Sequence, residues 1–290
     1  MSARLPYRKM NGLGNEIVVV DLRGRRQAFG PAQAAAAGGC RAAHFDQMMV
    51  LEDPRTPGTE AYVRIFNADG SEVAACGNGM RCVGWAVAHD TGRRALRFET
   101  GAGVLDVSVA DTGCITVDMG EPRFGWRDIP LSEPADDTRA VALQVGPADG
   151  QLPGAPSVVN VGNPHAIFWV DDVEAWDLGR IGPVLEHHPM FPERANISLA
   201  RPTSPAALTL RTWERGAGLT RACGSAACAA AVCAARMGRT GRQVEVTLPG
   251  GALAIEWRGD GHILMTGPVE VEHEGVLDLA EVAPADMSHT

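Results

Sequence analysis

Shifted by 147 positions, the distance from Cys76 to Cys223, this 290-residue chain lies on itself without a gap: "VRIFNADGSEVAACGN" (63–78) matches "LRTWERGAGLTRACGS" (210–225). Arg64 meets Arg211, Phe66 meets Trp213, Ala75 meets Ala222 and Cys76 meets Cys223. The register continues outward with small slips. "GAGVLDVSVADTGCITVDMG" (101–120) answers "PGGALAIEWRGDGHILMTG" (249–267), and "GNEIVVVD" (14–21) answers "GNPHAIFWVDD" (162–172). More loosely, "FDQMMVLEDP" (45–54) answers "ERANISLARP" (193–202). Self-similarity of this kind restricts the chain to architectures made of two copies of one unit.

Each half alternates short runs of Val, Ile, Leu and aromatics with turn clusters, the pattern of strands. One long helix is predicted after each aligned cysteine: residues 77 to about 90, stopped by Gly92, and 224 to about 237, stopped by Gly238. The second carries no polar residue between Ser225 and Arg236. A helix apolar on every face is buried. The expected fold is therefore α+β: two homologous lobes related by a pseudo-twofold, each a curled, mostly antiparallel sheet around a central helix. The first lobe would take residues 1–122, completed by about 268–277. The second would take 123–267, with the break in the Pro- and Gly-rich stretch around 121–130, and 278–290 would form an acidic tail.

Composition narrows the partners. A formal net charge of -9 argues against nucleic acid or an anionic membrane, whose phosphates need clustered cations. "MSARLPYRKM" has no apolar core of a signal peptide, and no run approaches the roughly 20 apolar residues that span a bilayer, so a cytoplasmic protein acting on a small molecule is expected. Seven cysteines without a C-x-x-C pair argue against a disulfide scaffold or a structural metal site. A homodimer is compatible with this reading, but the sequence leaves the oligomeric state open.

Matched residues near a pseudo-twofold axis face each other, so Cys76 and Cys223 would form a pair. Each also begins a helix, where backbone N–H groups and the macrodipole favour negative charge. Such placement can lower a thiol pKa from about 8.5 to between roughly 3.5 and 7.5. Inversion of a carbon centre needs a base on one face and an acid on the other, roles that a thiolate and a thiol can exchange. The N–H groups of Gly77, Asn78, Gly224 and Ser225 could hold a substrate carboxylate and stabilise charge on the adjacent carbon. Pyridoxal phosphate would require a lysine, and Lys9, the only one in the chain, lies outside the duplicated core. A cofactor-free enzyme is favoured. Cys40, Cys82, Cys114, Cys228 and Cys233 read as packing residues. "GLGNE" precedes its strand and lacks a third glycine, so it is no dinucleotide fingerprint.

Six ordered segments, "NGLGNEIVVVD", "FDQMMVLE", "RIFNADGSEVAACGNGMRC", "GNPHAIFWV", "FPERANISLA" and "ERGAGLTRACGSAACAA", together resemble the diaminopimelate epimerase family over essentially the whole chain. The resemblance implies interconversion of LL- and meso-2,6-diaminopimelate, in lysine and peptidoglycan-precursor synthesis, with Cys76 and Cys223 as the acid/base pair. It places His165 and Glu214 beside the reacting centre, assisting proton transfer. It assigns the rest of the substrate to Asn15, Gln47, Asn67, Asn163, Asn196 and Arg215, with no cofactor and no metal. Leu219 and Ala226 depart from the family pattern, where a glutamate and a glycine are expected. Two alternatives stay open: a proline or hydroxyproline racemase-type enzyme, and a thiol redox sensor in which the facing cysteines form a reversible disulfide.

Overall fold

In a computed structural model, which describes residues 4–40, 44–143 and 153–278, the duplicated sequence becomes a duplicated series of elements. The first series is β1 (Arg4–Asn11), β2 (Glu16–Asp21), α1 (Pro31–Gly38), β3 (Gln47–Glu52), β4 (Ala61–Asn67), β5 (Glu72–Val73), α2 (Gly77–Thr91), β6 (Ala95–Thr100), β7 (Gly103–Val109) and β8 (Ile115–Asp118). The second is β9 (Ser157–Asn160), β10 (Pro164–Trp169), α3 (Leu178–Glu186), β11 (Asn196–Ser204), β12 (Ala207–Glu214), β13 (Gly218–Thr220), α4 (Gly224–Arg236), β14 (Gln243–Leu248), β15 (Gly251–Trp257) and β16 (Ile263–Gly267). A last strand, β17 (Glu270–Asp278), pairs with β1. The chain divides into two units, Met1–Val117 with Pro268–Thr290, and Asp118–Gly267. Of the stretch read as a tail, residues 279–290 lie outside the described residues.

Strand pairing is the same in both units. β1–β2 and β9–β10 are antiparallel, β2–β3 and β10–β11 parallel, and β3–β4 and β11–β12 antiparallel. β5 and β13 add to β4 and β12, and β6 and β14 then join the same strands in parallel, each opening an antiparallel meander. The α+β class expected from the alternating strand and helix signals is what forms.

The ladders also correct the loosest part of the self-alignment. Ile17 stands opposite Gln47, and His165 opposite Asn196. Gln47 stands opposite Asn67, and Ile197 opposite Trp213, which brings Asn196 level with Glu214. Gln47 thus corresponds to Asn196, whereas the loose match had set it on Ala195. Each register sets some central apolar residue on a polar one: the loose match puts Met48 on Asn196 and Val50 on Ser198, and the ladders put Met49 on Ser198. Only hydrogen-bonded pairing separates them, because a one-residue slip sends every side chain to the opposite face.

Burial follows from the layering. In the first unit, β2 and β3 lie between α1 on one face and α2 on the other, and their four central residues are all buried. Parallel strands covered on both faces read as continuous apolar runs, as "IVVV" and "MMVL" do. The meander strands β6 and β14 alternate exposed and buried residues, with one face to solvent. In the second unit, α4 touches β9, β10, β11, β12, β14, β15 and β16, and is buried from Ala226 through Ala234. Such enclosure needs narrow side chains that still favour a helix, and alanine meets both demands. Here Cys228 and Cys233 are fully buried filler, the desolvated thiol of Cys233 pushed up to about 12.

In the first unit, α2 approaches the sheet through glycine. A Cβ on Gly84 would lie 2.5 Å from Val107 Cγ1 and 3.3 Å from Ile115 Cγ2. Gly84→Val should therefore lower stability by about 1–3 kcal/mol through overpacking. The measurement is a urea midpoint at unchanged slope, and an unmoved midpoint would contradict this packing.

Candidate active site

Each central helix starts on its aligned cysteine. Cys76 is the N-cap of α2 and Cys223 that of α4, both in extended conformation, with φ of -152° and -122°. Gly77 and Gly224 are the first helical residues, followed by Asn78 and Ser225. Ordinarily a Ser, Thr, Asp or Asn oxygen accepts the first orphan N–H groups of a helix. Here a sulfur occupies that place.

The two sulfurs have different surroundings. Cys76 is half-buried, and its Sγ accepts a hydrogen bond from Gly79 N at 3.2 Å, a contact that favours a thiolate. Gly79 sits close against the neighbouring side chains, since a Cβ there would lie 2.4 Å from Met49 Sδ and 3.3 Å from Cys76 Sγ. Asn78 is buried, and its Oδ1 accepts from the fully buried Arg81 guanidinium at 3.0 Å, which orients its amide. Cys223 is itself buried, and its Sγ lies 3.5 Å from Ser225 Oγ. Burial, and then the adjacent Glu214 carboxylate, push its thiol well above the ordinary cysteine range. Glu214 is fixed in turn by Thr220, whose hydroxyl donates to Oε1 at 2.5 Å.

The remaining first-unit candidates gather on the strand ends. Gln47 and Asn67 are cross-strand neighbours, with Gln47 Nε2 donating to Asn67 Oδ1 at 3.3 Å. Asn67 Nδ2 donates to Ser71 Oγ at 2.9 Å. Asn15 ends the turn before β2. The side-chain oxygens Asn15 Oδ1 and Gln47 Oε1 are buried without a hydrogen-bond partner. Because buried polar atoms nearly always find one, these acceptors invite a donor from a bound molecule.

In the second unit, His165 and Asn163 share one strand entry. His165 Nε2 donates to Asn163 Oδ1 at 2.7 Å, which leaves Nδ1 as a buried acceptor without a partner. Burial, reinforced by the Arg215 cation, lowers the His165 pKa to about 3, so its imidazole is neutral at physiological pH. Asn196 is fully enclosed. Its Nδ2 donates to Pro164 O at 3.1 Å and its Oδ1 accepts from Arg215 N at 2.9 Å, tying three strand ends together. Arg215 is exposed, with Nη1 donating to Glu193 O at 2.9 Å. Among the described residues, only Leu13 (φ 66°) and Arg194 (φ 61°) are non-glycines in the left-handed region. Leu13 lies two residues before Asn15 at the entry to β2, and Arg194 two before Asn196 at the entry to β11, so in each unit local strain sits beside a candidate residue.

Sequence reasoning missed Arg81 and Glu186. Both are charged residues inside or at the end of a helix, where composition predicts solvent, yet both are buried. No spacing signal marks either. Among the described residues, no three His, Cys, Asp or Glu side chains cluster as metal ligands would, and no helix is long and apolar enough to cross a membrane.

Known proteins place this architecture. The chain is 58% identical over 281 residues to the diaminopimelate epimerase of Brucella anthropi, covering 97% of this chain and 94% of that protein. Two solved structures share the fold at low identity. One is a phenazine-biosynthesis protein of the PhzF family from Bacillus anthracis (TM-score 0.68, 15% identity, 95% and 99% of the two chains). The other is a hydroxyproline epimerase from Agrobacterium vitis with bound trans-4-hydroxy-L-proline (TM-score 0.64, 14% identity, 96% and 94%). The diaminopimelate epimerase family profile matches residues 7–125 and 157–272, in both units, and with this match the chain belongs to the diaminopimelate epimerase family.

Proposed function

We propose that the protein interconverts LL- and meso-2,6-diaminopimelate by a two-thiol mechanism without a cofactor. The observation that carries this reading is the pair of register-matched cysteines, each at the N-cap of a helix, one half-buried and the other buried beside a carboxylate. Cys76, capped by Gly79 N, is suited to act as the base in the LL-to-meso direction, and Cys223, buried beside Glu214, as the acid. The α-carbon C–H bond breaks, its proton goes to the Cys76 sulfur, and the electron pair stays on the carbon. The Cys223 S–H bond then supplies a proton to the opposite face. The reverse reaction exchanges the roles. The N–H groups of Gly77, Asn78, Gly224 and Ser225 hold the reacting carboxylate and stabilise the charge that builds beside it.

The other candidates take roles their chemistry allows. His165 is neutral and assists by hydrogen bonding through Nδ1 while carrying no charge of its own. Asn15 Oδ1 and Gln47 Oε1 are acceptors suited to the ammonium groups of a zwitterionic substrate, and Arg215 offers a fork for a carboxylate. Asn67, Asn163 and Asn196 complete the polar lining, Asn196 mainly by fixing Arg215. The cofactor-free reading is supported by Lys9, whose ammonium is buried in an ion pair with Glu16 at 2.6 Å. The seven cysteines, none in a disulfide, suit a reducing cytoplasm. The racemase-type alternative shares the fold, but the relatives that match in sequence carry the diaminopimelate name.

Four outcomes are expected. Purified protein given LL-diaminopimelate and a reductant in heavy water, without pyridoxal phosphate, should form the meso isomer with one deuteron at the inverted carbon. Cys76→Ala and Cys223→Ala should each abolish that conversion, whereas an active single variant would refute the two-thiol mechanism. Limiting iodoacetamide at pH 7 should label Cys76 well before Cys223, read by peptide mass spectrometry, and the reverse order would overturn the assigned resting states.

The fourth outcome concerns pH. The folded protein holds His165 near 3, while the unfolded chain takes up its proton near 6.5, so this contribution to stability is complete above pH 6.5 and declines as pH falls toward 3. The slope reaches about 1.4 kcal/mol per pH unit. Urea unfolding of His165→Gln between pH 7 and pH 4 should show one fewer proton of pH dependence than the parent. Parallel curves would contradict a neutral buried imidazole.

A further inference from the structure

Glu186, the last residue of α3, is 3% exposed, and its carboxylate is used on both oxygens. Oε2 accepts from the indole Nε1 of Trp213 at 2.7 Å, and Oε1 accepts from the backbone N of Gly216 at 3.0 Å. Arg194 Nη1 approaches Oε1 at 3.7 Å from the solvent side. Trp213 and Gly216 bracket Glu214 and Arg215. The indole lies so close on α3 that a Cβ on Gly182 would sit 2.5 Å from Trp213 Cγ. The next N–H along the loop, that of Arg215, is held by the buried amide of Asn196. Two consecutive backbone N–H groups are therefore gripped by buried side chains from two different elements.

A buried carboxylate is costly unless hydrogen bonds compensate for the water it has lost. An ordinary apolar helix end would close this unit without that cost. A carboxylate is, however, the one side chain of this size that offers two acceptors to two donors at once. We propose that Glu186 is a positioning residue for the reaction: it locks Trp213 and Gly216 so that the Glu214 carboxylate stays against the Cys223 thiol and the Arg215 backbone stays in register. Glu186 acts through Glu214 and has no contact with substrate in this assignment. The inference rests on the reading of Glu214 and Cys223 as reacting groups.

Glu186→Gln tests it, because the carboxamide keeps the shape but must aim an NH2 group at one of the two donors. Three measurements are made on the full chain: the urea midpoint, kcat and KM for LL-diaminopimelate, and the rate at pH 8.5 with which methyl methanethiosulfonate labels Cys223. Cys228, buried in the same helix, is the internal control for general loosening. The variant should fold and lose roughly 10- to 100-fold in kcat, with KM changing far less. With Glu214 released, Cys223 should label faster by about 10-fold while Cys228 stays at the parent rate. Unchanged labelling of Cys223, or a parallel rise at both cysteines, overturns the proposal. Should Glu186→Gln fail to fold, Trp213→Phe removes one donor and leaves the carboxylate in place. It should move Cys223 labelling in the same direction by a smaller factor, and a parent-like rate would overturn the proposal. If the parent protein does not epimerise diaminopimelate, the proposed function fails, and the Cys223 labelling still decides the role of Glu186.

Discussion

The structure depends on how one helix fits inside each strand ladder with its first turn left open to chemistry. α4 does this with alanine: its buried face extends all round, and strands from β9 to β16 close on it. α2 does it with glycine, at Gly79 against Met49 and at Gly84 against Val107. Both solutions exclude water from the body of the helix. They leave the N-terminal N–H groups as the main uncompensated polarity of the element, and those groups are where anionic sulfur or carboxylate is stabilised. The place of the cysteines therefore follows from the packing of the helices.

A duplicated scaffold would by itself give two equivalent thiols, which is a poor start for an acid/base reaction because both would carry the same proton occupancy. Divergence at matched positions removes the equivalence. Asn67 at the end of β4 is neutral, while its counterpart Glu214 at the end of β12 is an anion beside Cys223. Cys76 accepts a backbone N–H, while Cys223 is buried and faces a carboxylate. Ile17 corresponds to His165, and Gln47 to Asn196, so the second unit carries the more polar strand entry. In the proposed mechanism these differences set which thiol holds the proton at rest, and neither thiol needs a base from outside the duplicated set.

Much of this was legible in the sequence, and the reasons are specific. The cysteine pair was visible because three signals coincide there: the register, the helix start and the flanking glycine. Both long helices were placed to within a residue or two, since Gly92 and Gly238 adopt the left-handed backbone that ends a helix. The Gln47 to Asn196 correspondence was misjudged by one residue, because apolar strand patterns tolerate a slip that hydrogen-bonded ladders do not. Glu186 was invisible. A glutamate ending "GRIGPVLE" looks like a solvated helix terminus, and its two donors lie 27 and 30 residues further along the chain.

Glu186 also shows where the stability of the second unit is spent. Arg194 holds a left-handed backbone, Glu186 keeps an anion out of water, and Asn196 holds backbone groups with both ends of its amide. Each is unfavourable or neutral for folding taken alone. Glu186 and Asn196 both grip the four-residue stretch from Trp213 to Gly216, next to the thiol whose proton the reaction would use, and Arg194 reaches Glu186. Two consecutive backbone N–H groups held by buried polar side chains, one of them a carboxylate, are better explained by a need to fix that loop in place than by any gain in stability. By this reasoning the precision of the candidate site comes from residues that never meet the substrate, and the helix-capping cysteine is the last link in that chain of support.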